Sequence, residues 1–220
     1  MQLEGLPKRL SQSIDARIIG DDYQQALTGL VRAVNDHDTY TAGHSCRVSD
    51  YTGQLGRVLG LPRAEISFLR QAGLLHDIGK VGIPDRVLRK NGRLTEDELH
   101  LIRLHPILGA SIVSRFENME RMIPVVLHHH ERWDGSGYPS GLSGVDIPRE
   151  ARAIFVADAF DAMTTDRPYG EILSGEEALA ELRRCSGDQF DPVFVDAMHE
   201  AWRSGLLDND VEHRTHHIVL

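Results

Sequence analysis

Ala72-Gly73-Leu74-Leu75-His76-Asp77-Ile78-Gly79-Lys80-Val81 is the stretch on which the reading of this chain turns. Ala72, Leu74, Leu75 and Val81 surround an adjacent histidine and aspartate, so two ionisable groups enter an apolar setting where burial is costly unless compensated. A divalent metal ion is the compensation this pair best allows, because imidazole and carboxylate both suit first-row ions. A carboxylate also has two oxygens and can bridge two ions, which makes Asp77 the natural bridge.

Further ligand types lie outward from the pair: His44, His105, His129-His130 and Asp158. Each falls within or near the end of a different predicted helix, and helical bundles build metal sites from side chains on facing helices. A single helical histidine is ordinarily a surface or satisfied core residue; the adjacency of His76 and Asp77, and twelve histidines in the chain, change that expectation. The residues alone do not choose which two of His128, His129 and His130 serve as ligands. Lys80, one turn beyond the pair, carries three rotatable donors suited to a phosphate oxygen, with a solvated helix end as its plainer role.

Helical periodicity dominates the chain. Ala26, Leu27, Leu30, Val31 and Val34 recur at three and four, predicting a helix over 23–35. Further helices are predicted over 43–59, from Pro62 to near His76, and from a Thr95/Glu98 capping box to near His105. Others follow over 106–116, 121–130 and 149–165, then after a Ser174/Glu177 capping signal, and over 192–202. Residues 131–148, rich in glycine and proline, read as a loop long enough to be functional. No alternating strand pattern or internal repeat is visible. The expectation is one all-α domain: residues 1–20 a linker or leading segment, 21–207 the catalytic domain, and 208–220 a polar tail.

Composition narrows the function. With 220 residues, 41% hydrophobic and 26% charged, the chain is long enough for one sizeable core. No apolar run approaches the roughly 20 residues of a membrane span, and the N-terminus has no signal-peptide pattern. A net charge of −9 argues against DNA or RNA binding, which draws on excess lysine and arginine. Cys46 and Cys185 lack CxxC spacing, so neither a disulfide framework nor a cysteine zinc site is indicated, and the cytoplasm is the expected compartment.

HDIGK at 76–80, GIPD at 82–85, the HHE-x-x-DGxGYP run from His129 to Pro139, and RPY at 167–169 together resemble the HD-GYP subclass of HD-domain phosphodiesterases. The resemblance covers roughly residues 23–202. It implies an all-helical HD-domain bundle with a long GYP loop, and hydrolysis of cyclic di-GMP to linear pGpG and often on to GMP. It further implies that His44, His76, Asp77 and Asp158 hold one divalent ion and Asp77, His105, His129 and His130 another, leaving His128 spare. Iron and manganese are the expected metals, with zinc, nickel, magnesium and cobalt also compatible with such donors. Some members carry a glutamate, four residues before the first histidine, that helps hold a third ion; Tyr40 stands there in this chain, which favours two.

Two ions about 3.5–4 Å apart can share a water and present it as hydroxide to phosphorus. Lys80 then steadies a phosphate oxygen, and Arg167 offers a planar fork to a second phosphate or a guanine edge, or simply braces a turn. The family usually places a basic residue directly after RPY; Gly170 stands there, which puts substrate preference in question. Gly137, Tyr138 and Pro139 shape the guanine site, brace the ligands or meet a partner, and the resemblance names GGDEF-domain proteins as that partner. Asp36, Asp38 and Asp161 are candidates for orienting a ligand imidazole. His37, His100 and His199 read as surface or supporting residues. The first predicted helix either pairs two copies as a homodimer or docks a regulator. Competing readings are hydrolysis of 3′,3′-cyclic GMP-AMP or pGpG, and a catalytically silent sensor acting through partners.

Overall fold

The computed structural model describes residues 29, 39–90, 92–165 and 172–207. Its helices are α1 (Thr39–Val58), α2 (Arg63–Leu75), α3 (Asp85–Leu88), α4 (Glu96–Ile102), α5 (His105–Val113), α6 (Met122–His128), α7 (Arg149–Thr164), α8 (Gly175–Arg184) and α9 (Pro192–Arg203), with 3-10 turns at Ile78–Gly82 and Gly144–Asp146. Among the described residues there is no strand, only an isolated bridge between Ser186 and Phe190. The fold is therefore all-α, as expected.

Local signals in the sequence account for the helix limits. Gly60 adopts φ 65°, and Leu61 N–H reaches back to the Gly56 carbonyl at 2.9 Å, a stop that spares the last carbonyls of α1 from going unpaired. Gly205 and the Leu206 to Ala201 bond repeat that device after α9. Thr95 with Glu98, and Ser174 with Glu177, form complete capping boxes at the starts of α4 and α8. Pro192 opens α9 while Asp191 accepts from Val193 N–H.

α1 packs on α2, α7 and α9, and α7 also touches α2, α6 and α8, so these two helices form the middle of the bundle. Their shared core includes Leu55, Leu69, Leu74, Leu75, Phe160 and Phe194, all fully buried, at about 1.5–3 kcal/mol of apolar stabilisation per side chain. Tyr51 meets Phe160 edge-on at 5.4 Å between ring centroids.

Two close approaches position the segment quoted at the outset. A Cβ at Gly73 would lie 2.8 Å from Ser49 Cα, so α1 and α2 cross tightly just before His76. A Cβ at Gly79 would fall 1.9 Å from the His105 carbonyl oxygen and 2.5 Å from Gly109 N. The 3-10 turn therefore lies directly on the α5 backbone.

The structure departs from sequence expectation at several boundaries. α2 ends at Leu75, and Asp77 (φ −93°, ψ 8°) leaves the helical region, so Lys80 sits on a 3-10 turn. The four-residue α3, begun after Pro84, was not anticipated. The predicted helix over 23–35, apart from residue 29, lies outside the described residues, as do Asp36, His37, Asp38, Arg167, Gly170 and the two chain ends.

Candidate metal centre

Asp77 is buried at the junction of α2 and the 3-10 turn, and its two oxygens face different histidines. Oδ2 lies 3.3 Å from His76 Nε2 and 3.7 Å from His44 Nε2. Oδ1 lies 3.2 Å from His105 Nε2 and 4.0 Å from His129 Nε2. One ligand atom each from Asp77, His105, His129 and His130 falls within 4.8 Å of the others, and His44, His76 and Asp77 form a second such group. Asp158 on α7 joins the second group through His44, with Oδ1 3.2 Å from Nε2.

The orientation of the imidazoles follows from their other nitrogen. Nδ1 of His76 donates to the Gly73 carbonyl at 2.8 Å, that of His105 to Ile102 at 2.7 Å, and that of His129 to Val126 at 2.7 Å. Each is the carbonyl three residues earlier, freed as a helix or turn ends. With the proton held on Nδ1, Nε2 is left as a lone-pair donor aimed at Asp77. His44 uses a carboxylate instead: its Nδ1 donates to Asp161 Oδ2 at 2.7 Å, while Arg47 Nη2 donates to the same oxygen at 2.9 Å.

These donors fit a cation. His76 Nε2 is buried and has no hydrogen-bond partner, and the Nε2 atoms of His105 and His129 face each other at 3.1 Å. Unpaired lone pairs in a buried site are compensated by a positive ion between them. The electrostatics agree. Burial and the neighbouring imidazoles of His130, His105 and His76 hold His129 far below the usual histidine range, so it stays neutral. Burial, aided by His105, pulls His130 down to about 3. Burial opposes ionisation of Asp77, but Lys80 and His76 prevail and hold its carboxyl well below the usual range. Burial also works against protonated His44, yet Asp158 and Asp161 raise it to about 9.

Lys80 Nζ lies 2.6 Å from Asp77 Oδ2, at the solvent edge of the centre. The loop after His130 folds back onto it. Gly137 fits because a Cβ there would meet Arg132 N at 2.3 Å and the His130 carbonyl oxygen at 2.6 Å. Tyr138 consequently stacks on His130, rings 5.0 Å apart and 26° from parallel, with the Arg103 guanidinium 5.6 Å from its ring centroid. Burial, then Asp77 and Asp158, push the Tyr138 hydroxyl above its ordinary range. Pro139 follows through a cis bond. Asp134 secures the turn by accepting from Ser136 N and Arg132, and Trp133 and Asp134 N–H groups bond to the Gln189 and Asp188 carbonyls. The pinned turn gives the loop a structural role whatever else it does.

Of the sequence candidates, His44, His76, Asp77, His105, His129, His130, Asp158 and Lys80 gather around this centre, and Tyr138 stacks on His130 with Gly137 and Pro139 as its neighbours in the loop. His128 points elsewhere, its Nδ1 3.4 Å from Glu131 Oε1. Asp161 does meet a candidate ligand. His100 is exposed and His199 Nε2 bonds to the Leu179 carbonyl, both away from the centre. Sequence reasoning did not single out Arg47, Glu131 or Arg103. Glu131 is buried and accepts from Ser140 N–H at 2.7 Å, tying the loop's start to its middle. Its place inside the quoted HHE run was the available signal.

Comparison with known proteins agrees with this geometry. A family model described as HD domain matches residues 29–194. The cyclic di-GMP phosphodiesterase response regulator RpfG of Xanthomonas campestris is 42% identical over 197 residues, 88% of this chain and 51% of that protein. A cyclic di-GMP phosphodiesterase of Thermotoga maritima is 40% identical over 182 residues, 80% of this chain and 50% of that protein. The chain thus spans about half the length of these curated relatives. In fold it resembles the Vibrio cholerae cyclic GMP-AMP phosphodiesterase V-cGAP3, with TM-score 0.61, 22% identity, and coverage of 88% of this chain and 52% of that one. It likewise resembles the Listeria monocytogenes PgpH HD domain solved with cyclic-di-AMP, with TM-score 0.58, 18% identity, and coverage of 87% of this chain and 100% of that one. Paired histidine and aspartate at 76–77, the ring of ligands around them and the loop through Tyr138 place this chain in the HD-domain family, in its HD-GYP subclass.

Proposed function

We propose that this chain is a phosphodiesterase that opens cyclic di-GMP to linear pGpG and carries it on to GMP. The observation that carries the reading is Asp77, whose two oxygens each face a separate set of imidazoles. In this reading His44, His76, Asp77 and Asp158 hold one ion, and Asp77, His105, His129 and His130 a second, iron or manganese in each. Bound divalent ions would supply an activated water and positive charge for the phosphate. Asp77 and the neutral imidazoles fix where that charge sits. Lys80, already at the centre's solvent edge, donates to a non-bridging phosphate oxygen. Tyr138, backed by His130, shapes the base site with its ring edge and hydroxyl, with Gly137 and Pro139 holding its backbone. Arg167 belongs to the same reading as a further substrate contact.

Relatives named for cyclic di-GMP support the substrate. A second reading, 3′,3′-cyclic GMP-AMP, draws on a V. cholerae 3′3′-cGAMP-specific phosphodiesterase that is 35% identical over 181 residues. Among the described residues no helix is long and apolar enough to cross a membrane. Cytoplasmic action is part of the proposal, with GGDEF-domain partners at the 131–148 loop and a homodimer as its extensions.

The test is anaerobic purification, metal counting, and chromatography of both cyclic dinucleotides with iron or manganese present. Two ions per chain and release of pGpG are expected. Wild-type protein as inert as Asp77→Ala would instead point to a sensor or scaffold.

A further inference from the structure

Arg103 closes α4 two residues before His105, with an exposed side chain. Other arginines near the centre and its loop are engaged: Arg47 with Asp161, and Arg132 with Asp134 and Ser136. Arg103 is different. Among the described residues its guanidinium has no carboxylate partner, and its contact is the Tyr138 ring. A guanidinium over an aromatic face leaves its in-plane N–H donors free for a pair of phosphate oxygens, while the ring restrains its direction.

A cyclic dinucleotide has two phosphates. The one undergoing hydrolysis must lie at Asp77, where Lys80 already stands. The other must then lie away from Asp77, and in a chain of net charge −9 it needs a local cation. Resting on the proposed phosphodiesterase function, we infer that Arg103 is a substrate-binding residue that grips the second, non-reacting phosphate across Tyr138. Tyr138 then has two duties, stacking on His130 and aiming Arg103. Charge-assisted, bidentate contact is the strong form of phosphate recognition, and Arg103 is placed to make it.

The experiment compares wild type, Arg103→Ala and Arg103→Lys as manganese-loaded full chains. Equilibrium binding of a hydrolysis-resistant phosphorothioate analogue of cyclic di-GMP is measured first, and turnover of cyclic di-GMP and of bis(p-nitrophenyl) phosphate, which has one phosphate, second. Arg103→Ala is expected to raise the analogue's Kd about tenfold, with Arg103→Lys recovering part of the loss. The ratio of kcat/KM for cyclic di-GMP to that for bis(p-nitrophenyl) phosphate should fall by a similar factor. An unchanged Kd overturns the assignment. So does an equal loss on both substrates, which is what a mere brace for Tyr138 and His130 would produce. Analogue binding by wild type without any turnover brings down the proposed hydrolase while the Kd ratio still judges Arg103; no binding at all overturns both.

Discussion

His105 and His129 direct their Nε2 atoms at each other across 3.1 Å, and each donates its Nδ1 proton to a carbonyl of its own backbone. Two lone pairs therefore meet in a buried space. A cation between them relieves the repulsion, so metal binding and folding stability are linked. Chelator-treated protein should gain about 5–10 °C in Tm on adding manganese at roughly a hundred times its Kd. Asp77→Ala should gain almost nothing. Equal shifts in the two proteins, followed by calorimetry, would contradict the link.

Asp161 is a positioning residue for His44. Exchanging its carboxylate for an amide in Asp161→Asn leaves the shape intact but weakens the hold on His44 Nδ1 and on Arg47. Metal affinity should drop about 10–100-fold, the usual cost of losing such a supporting partner. Competition against a chromogenic chelator reads this directly. Unaltered affinity would mean that His44 is oriented by its helix alone.

Gly79 has no space for a methyl group. Gly79→Ala puts a carbon against the His105 carbonyl and Gly109 N, both backbone atoms that cannot swing aside. The expected cost is about 3 kcal/mol or more in a urea melt. Any folded fraction should lose about a hundredfold in turnover, since Asp77 moves relative to His105. Near-wild-type melting would show that the turn can lift off α5.

Far from the centre, Asp191 both caps α9 and accepts from Arg152 at 2.5 Å. Asp191→Ala removes the cap and strands a part-buried guanidinium, for a loss of about 3–4 kcal/mol. Metal content per folded chain should stay as in wild type, which separates a stability defect from a site defect.

Much of this architecture was legible before any coordinates. Both capping boxes announced real helix starts, because a Ser or Thr with Glu three residues on satisfies local donors without help from the rest of the fold. The ligand types converged because each stood within or near the end of a helix that topology could bring together. Other features depend on tertiary contact. The 3-10 geometry at Ile78–Gly82 is imposed by α5 lying against Gly79, which no periodicity reports. Asp161 could not be ranked above Asp36 or Asp38 until α7 was seen beside α1. Arg103 drew no attention at all, since an exposed arginine at a helix end is ordinary until an aromatic ring from a loop thirty-five residues later lies beneath it.

Tethering Nδ1 of three histidines to the backbone has a consequence for exchange of ions. Those rings are held in place by their own backbone, so a change of ion need not reorder them. Such a preset cradle discriminates poorly between ions of similar size. Its occupant then records which metal the surroundings offered when the chain was filled, and a shift in that supply could retune the same protein without a change in its sequence.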